Sequence, residues 1–247
     1  MPYSVEKNPN LKISKKAMSC DDNIVENLSP PLSPVSHMYL FCGAPGSGKT
    51  TAMLNLISKR KKYNGFKTSY YKAYEHVFLC SPSLHTIKDS PFKDHPEEKV
   101  YTEFDDQFLD DIEAFCSLAA DECQNTLIIL DDVGSMLKNA GLERRFSYLC
   151  QRRRHLHLSI WLLMQRYTQV PKNIRASCIT HLFLFRPQNM KELQQVHEEL
   201  LPIKKEEVLG FLKYIWNVKY GFLFVDMSLA NSNTFEFYRN FDRISFN

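Results

Sequence analysis

Residues 43–50 read Gly-Ala-Pro-Gly-Ser-Gly-Lys-Thr, a G-x-x-x-x-G-K-[ST] pattern directly behind the apolar run Met38-Tyr39-Leu40-Phe41-Cys42. No other feature restricts the fold as much. An apolar strand must enter the turn and a helix must leave it, which is the opening unit of a parallel α/β sheet. Such a turn aims successive backbone N–H groups, and the positive end of the helix dipole, at one point. Gly43, Gly46 and Gly48 let the backbone wrap an anion, Lys49 reaches β- and γ-phosphates, and Thr50 offers a hydroxyl to Mg²⁺. Gly43, Ala44, Pro45, Gly46, Ser47, Gly48, Lys49, Thr50 and Thr51 are therefore the candidate residues for binding a nucleoside triphosphate, ATP in the first instance.

The 247 residues suit one α/β domain with an extension, and 44% hydrophobic content is ample for its core. A net charge of +3 is too small to argue for nucleic acid on its own. Seven scattered cysteines show neither a C-x-x-C pair nor zinc spacing, and read as reduced, buried thiols of an intracellular protein. No apolar stretch approaches the roughly 20 residues of a membrane span. The polar, charged N-terminus lacks a secretory-signal pattern.

Residues 1–37 mix Lys, Asn, Ser and Asp with the turn-rich Ser29-Pro30-Pro31-Leu32-Ser33-Pro34 and show no sustained periodicity. They read as a flexible arm, a docking tail or an inert extension, ahead of a domain at 38–247. From residue 38, strands and helices alternate. Strands are expected at 38–42, 76–80, 126–130, 158–164, 181–185 and 220–225, with an edge strand at 235–238. Between them fall a helix after the glycine turn that ends near the basic run 59–62, and helices with one apolar face near 108–119, 141–154, 189–199 and 204–215. The basic run suits a helix C-terminus and needs no nucleic acid to explain it. A polar loop fills 84–103.

Leu127-Ile128-Ile129-Leu130-Asp131-Asp132 is an apolar strand with two carboxylates at its C-terminal tip. Ligands of open parallel sheets bind at that edge, which places the pair beside the glycine turn on an adjoining strand tip. Asp131 is the candidate Mg²⁺ carboxylate beside Thr50, and Asp132 the candidate base for an attacking water. Asp is one methylene shorter than the Glu common at such positions. The strand 158–164 ends in Gln165, whose amide either caps the strand or meets the γ-phosphate and the lytic water.

The Asp131-Asp132 tip, the stretch Arg152-Arg153-Arg154-His155-Leu156-His157-Leu158-Ser159-Ile160, and Gln165 followed by Pro171-Lys172-Asn173-Ile174-Arg175 form a series. From residue 38 onward the chain resembles the DNA-packaging ATPases of poxviruses, giant viruses and virophages, a branch of the FtsK–HerA superfamily. The resemblance implies an α/β P-loop NTPase of the RecA-like, additional-strand (ASCE) kind, with a central, mostly parallel sheet flanked by helices. It further implies a homo-oligomeric ring that couples ATP hydrolysis to translocation of double-stranded DNA into a preformed capsid, with a capsid or vertex protein as partner. By position Lys49 and Thr50 match Walker A, Asp131 and Asp132 Walker B, and Gln165 the sensor. The arginine finger, supplied by a neighbouring subunit, matches Arg153 or Arg154, with Arg175 as second choice. Unlike FtsK, the chain carries no membrane segments and no DNA-reading winged helix. Lys88, Lys93 and Lys138 are candidate phosphate contacts to DNA, each as readily an ordinary surface lysine.

A P-loop phosphotransferase, a nucleotide or small-molecule kinase, is the alternative. It needs an arginine-bearing lid, and Arg152–Arg154 directly before a core strand are poorly placed for one. A GTPase switch lacks its N-K-x-D motif here.

Overall fold

The short apolar runs assemble into one nine-stranded sheet in the order β3-β2-β4-β5-β1-β6-β7-β8-β9. The computed structural model describes residues 25–34, 36–59, 61–81, 92–228 and 234–245. The strands are β1 (Met38–Cys42), β2 (His76–Cys80), β3 (Val100–Tyr101), β4 (Thr126–Asp131), β5 (Leu158–Met164), β6 (His181–Phe185), β7 (Phe222–Asp226), β8 (Glu236–Arg239) and β9 (Asp242–Ile244). From β3 to β6 neighbours run parallel. From β6 to β9 they run antiparallel. β1, β5, β6 and β7 are buried along their whole length, as interior strands covered on both faces must be.

The helices are α1 (Lys49–Ile57), α2 (Asp106–Asp121), α3 (Ala140–Arg152), α4 (Lys172–Ser177), α5 (Met190–Leu200) and α6 (Lys205–Ile215). They divide unequally between the faces. α2 to α6 cover one face through Phe108, Ile112, Phe146, Ile174, Val196 and Leu212. α1 covers the other through Met53 and Leu56, helped by Leu28, Leu32 and Tyr70. Side chains fix the helix starts: Asp105 accepts from Phe108 N–H at 2.8 Å and Asn139 from Gly141 N–H at 2.9 Å.

Four expectations need correction. The strand carrying Asp131 does not adjoin the strand of the glycine turn, because β5 lies between them and pairs with both. The segment at 236–239 is not an edge strand, since β9 pairs outside it. α1 stops at Ile57, with Ser58 extended, so its last turn carries no basic residue and Lys59, Lys61 and Lys62 lie beyond the helix. Lastly, the part of the N-terminal arm from Val25 onward packs on the core. Leu28 and Leu32 are buried, Ser29 N–H donates to Lys67 O at 2.8 Å, and Tyr70 Oη donates to Ser33 O at 2.8 Å. Two leucines and a shared hydrogen-bond network supply the buried contact that the composition of the arm did not suggest. Residues 1–24 and Lys88 lie outside the described residues. Among the described residues no helix is long and apolar enough to cross a membrane.

Candidate nucleotide site

The C-terminal tips of β4, β5 and β1 form the site, and β5 joins its halves. Gly43 N–H donates to Met164 O at 3.2 Å, and on the other side Asp132 N–H donates to Leu163 O at 3.0 Å. The next residue, Gln165, donates from Nε2 to Asp132 Oδ2 at 3.0 Å. The glycine turn and the carboxylates are thus referenced to one strand end and to each other.

The turn itself resists side chains at two positions, one by crowding and one by backbone conformation. A Cβ on Gly43 would lie 2.6 Å from Phe185 Cβ, and Gly48, with φ +107°, carries a backbone conformation that other residues rarely adopt. Gly48 also caps the N-terminus of α1, and a Cβ there would meet Tyr220 at 3.2 Å. Ala44 N–H donates to Arg186 O at 3.2 Å, so the tip of β6 braces the opposite flank. Lys49 folds over its own turn, with Nζ donating to Gly43 O at 2.7 Å and Ala44 O at 3.0 Å. Burial lowers its pKa from the usual lysine range, while Cys42, Asp131 and Asp132 act in the opposite direction. Thr50 lies in the first turn of α1, half-buried, with Thr51 exposed behind it.

Asp131 is half-buried and Asp132 exposed. Burial raises the Asp131 carboxyl above the ordinary carboxylate value; a hydrogen bond from Ser81 and the Lys49 charge counter this, and Asp132 adds to it. A carboxylate left uncomfortable by desolvation gains from a cation. Asp132 adopts a left-handed backbone, φ 56°, at the start of the turn Val133–Lys138. This is the strained kind of conformation that clusters at functional sites.

The residues suit a magnesium–triphosphate group. The turn is bare of Cβ atoms where an anion would press against it, and Ser47 Oγ is buried without a hydrogen-bond partner. An ammonium and two carboxylates complete the donor set. Thr50 and Asp131 are the oxygen ligands of the kind Mg²⁺ takes.

Sequence reasoning missed Ser81, whose Oγ donates to Asp131 Oδ2 at 3.3 Å from the end of β2. A serine after an apolar run was the available signal. Only the pairing of β2 with β4 gives it meaning.

The arginines lie elsewhere. Arg152 to Arg154 join the end of α3 to the start of β5, the edge opposite the glycine turn. β5 separates them from Gln165 by about 20 Å, at about 3.3 Å per residue. Arg153 is half-buried and donates from Nη1 to Cys150 O at 2.9 Å, whereas Arg154 is exposed. Arg175 is held by Glu199 at 2.7 and 3.1 Å and by Val170 O at 2.6 Å, with its side chain 8% exposed. Lys93 and Lys138 are exposed.

Sheet order, glycine turn and paired carboxylates define a P-loop NTPase in which an additional strand stands between the Walker A and Walker B strands. The chain belongs to the family described as Poxvirus A32 protein, which matches residues 35–233. In fold it is similar to B204, the DNA-packaging ATPase from Sulfolobus Turreted Icosahedral Virus, with a TM-score of 0.58 and 14% identity, over 83% of this chain and 97% of that one. It is also similar to the genome packaging NTPase B204 from Sulfolobus turreted icosahedral virus 2 in complex with ATP-gammaS, with a TM-score of 0.56 and 14% identity over 82% and 96% of the two chains. The same NTPase in complex with AMPPCP matches at a TM-score of 0.54 and 16% identity, over 82% and 97%. No curated protein matches the chain. The family match spans the glycine turn, the paired carboxylates and Gln165, and the B204 structures share the fold.

Proposed function

We propose that the chain is an ATP-hydrolysing motor that moves double-stranded DNA into a preformed capsid. It works inside the infected cell as a homo-oligomeric ring seated on a capsid or vertex protein. The reading is carried by the shared strand tip, where Gln165 contacts Asp132 while the main chain of β5 holds both Gly43 and Asp132. Residues 1–24 are proposed as an arm outside the ATPase domain.

Each role follows from position. Lys49 and the N–H groups of the turn bind the phosphates. Thr50 and Asp131 would hold magnesium, which when bound neutralises phosphate charge. Asp132 accepts the proton of the attacking water, and Gln165 orients that water and registers the γ-phosphate. The arginines before β5 are too distant to serve their own site, so a finger role requires a neighbouring copy. Arg154, exposed, is better disposed for it than Arg153 or the tethered Arg175. Delivered in trans, such a cation makes hydrolysis depend on assembly. The same distance argues against Arg152–Arg154 as the lid of a kinase.

An ATPase assay with and without double-stranded DNA, paired with native mass measurement, tests the proposal. Turnover should rise with DNA, fall with salt and accompany an oligomer. ADP formation that requires a phosphoryl acceptor would overturn the motor in favour of a phosphotransferase.

A further inference from the structure

The direction in which a triphosphate must lie is set by its two ends. Asp132 and Gln165 stand at the tips of β4 and β5, so the γ-phosphate faces that flank. The nucleoside then leaves the turn on the other flank, toward the tips of β6 and β7. There the connection from α6 to β7 arrives at the sheet edge, since Phe222 pairs with Phe185.

That connection presents one aromatic ring to the site. Tyr220 Cβ and Cδ1 lie 3.2 Å from the Cβ position of Gly48, the cap of α1, yet Tyr220 remains 56% exposed. Its φ is +62°, a conformation in which a bulky residue is an outlier. The surrounding loop enforces it. A Cβ on Gly221 would strike Ile215 O at 2.7 Å, Gly221 N–H donates to Val218 O at 3.1 Å, and Asn240 Oδ1 accepts from Phe222 N–H at 3.2 Å. The Lys219 ammonium lies over the same ring, 5.0 Å from its centroid.

Resting on the nucleotide-binding reading above, we propose that Tyr220 is the stacking platform for the nucleobase. An aromatic face accepts any base, and the larger ring system of a purine gains most from it.

The test compares two probes on the full chain by calorimetric titration with magnesium: ATP and inorganic tripolyphosphate, which has no base. Tyr220→Asn keeps a side chain tolerant of positive φ and removes the ring. It should weaken ATP binding about tenfold or more, the scale of base–aromatic stacking, and leave tripolyphosphate affinity unchanged. Tyr220→Phe should keep both affinities. Equal losses for the two ligands in Tyr220→Asn would mark Tyr220 as a structural prop of the turn and overturn the proposal, as would undiminished ATP affinity. A wild-type chain that binds neither probe would instead end the nucleotide reading itself.

Discussion

The two ends of the central strands treat their polar groups in opposite ways. At the lower edge, where β1, β5 and β6 begin and β7 ends, the polar groups bond to one another. Trp161 Nε1 donates to His37 Nε2 at 2.9 Å, Met38 N–H donates to Thr180 Oγ1 at 2.9 Å, and His181 lies 3.3 Å from Asp226. His37, His181 and Asp226 are all less than a tenth exposed. At the upper edge Asp132 and Gln165 are exposed, Asp131 is desolvated, and the glycine turn has an unpartnered Ser47 hydroxyl. The lower edge is closed largely by the fold, with Thr126 Oγ1 and Arg153 Nε as its own buried atoms without a partner. The other is built to be finished by a ligand, at some cost in stability.

Substitutions at the two edges should therefore separate function from stability. The largest effect is expected from Lys49→Ala, which should abolish nucleotide binding or turnover in a calorimetric and phosphate-release assay while the protein stays folded. The double variant Arg153→Ala, Arg154→Ala should bind ATP normally and lose about a thousandfold or more of the turnover that appears on assembly. That result would sharpen the contrast, with the lower edge inert toward its own site and active toward a neighbour's. Unchanged turnover would move the finger to Arg175. Asp132→Asn should bind ATP and slow single-turnover hydrolysis by about 10²–10⁴.

The lower edge is probed by pH. His181 is held neutral, its pKa lowered to about 3 by burial and by Arg153, with Asp226 on β7, Thr180 and the His37 ring around it. The folded state then binds fewer protons than the unfolded chain between about 3 and 6.5. Stability rises with pH across that window and levels off above it, with a slope from this group of up to about 1.4 kcal/mol per pH unit. Denaturant titrations of His181→Gln should lose that component of the slope. A slope that survives would break the picture of a closed lower edge.

The smallest effect on stability belongs to Asp131→Asn. A raised carboxylate pKa means that this group's contribution to stability falls as pH rises from the ordinary value, 3.8, through its folded value. Neutralising it should raise Tm in a thermal melt above that carboxylate range, while magnesium-dependent turnover is lost. A lowered Tm would show that the upper edge is not under strain.

The strands were legible because interior parallel strands are short, unbroken apolar runs, and the glycine turn has a pattern of its own. β3 and β9, with two and three residues, are too short to carry a period. α4 is six residues behind Pro171 and offers one buried contact, Ile174. Strand order is not written in any run of residues. The resemblance implied an additional strand between the two halves, but that β5 is that strand, and that Ser81 lies beside Asp131, became visible only in the folded chain. The arm was misjudged for a related reason, since Leu28 and Leu32 are isolated apolar residues whose partners, such as Tyr70, lie far along the chain.

β5 ends in the main-chain carbonyls that hold both walls of the site, and begins at the arginines. Its length is thus a spacer as well as a core element. Inserting or deleting one residue there would turn Gln165 to the opposite face of the sheet and shift Arg153 and Arg154 by one step. Substitutions that alter side-chain volume in β5 would leave both distances intact. Changes in the number of residues would not, and the strand should accept the first kind far more readily than the second.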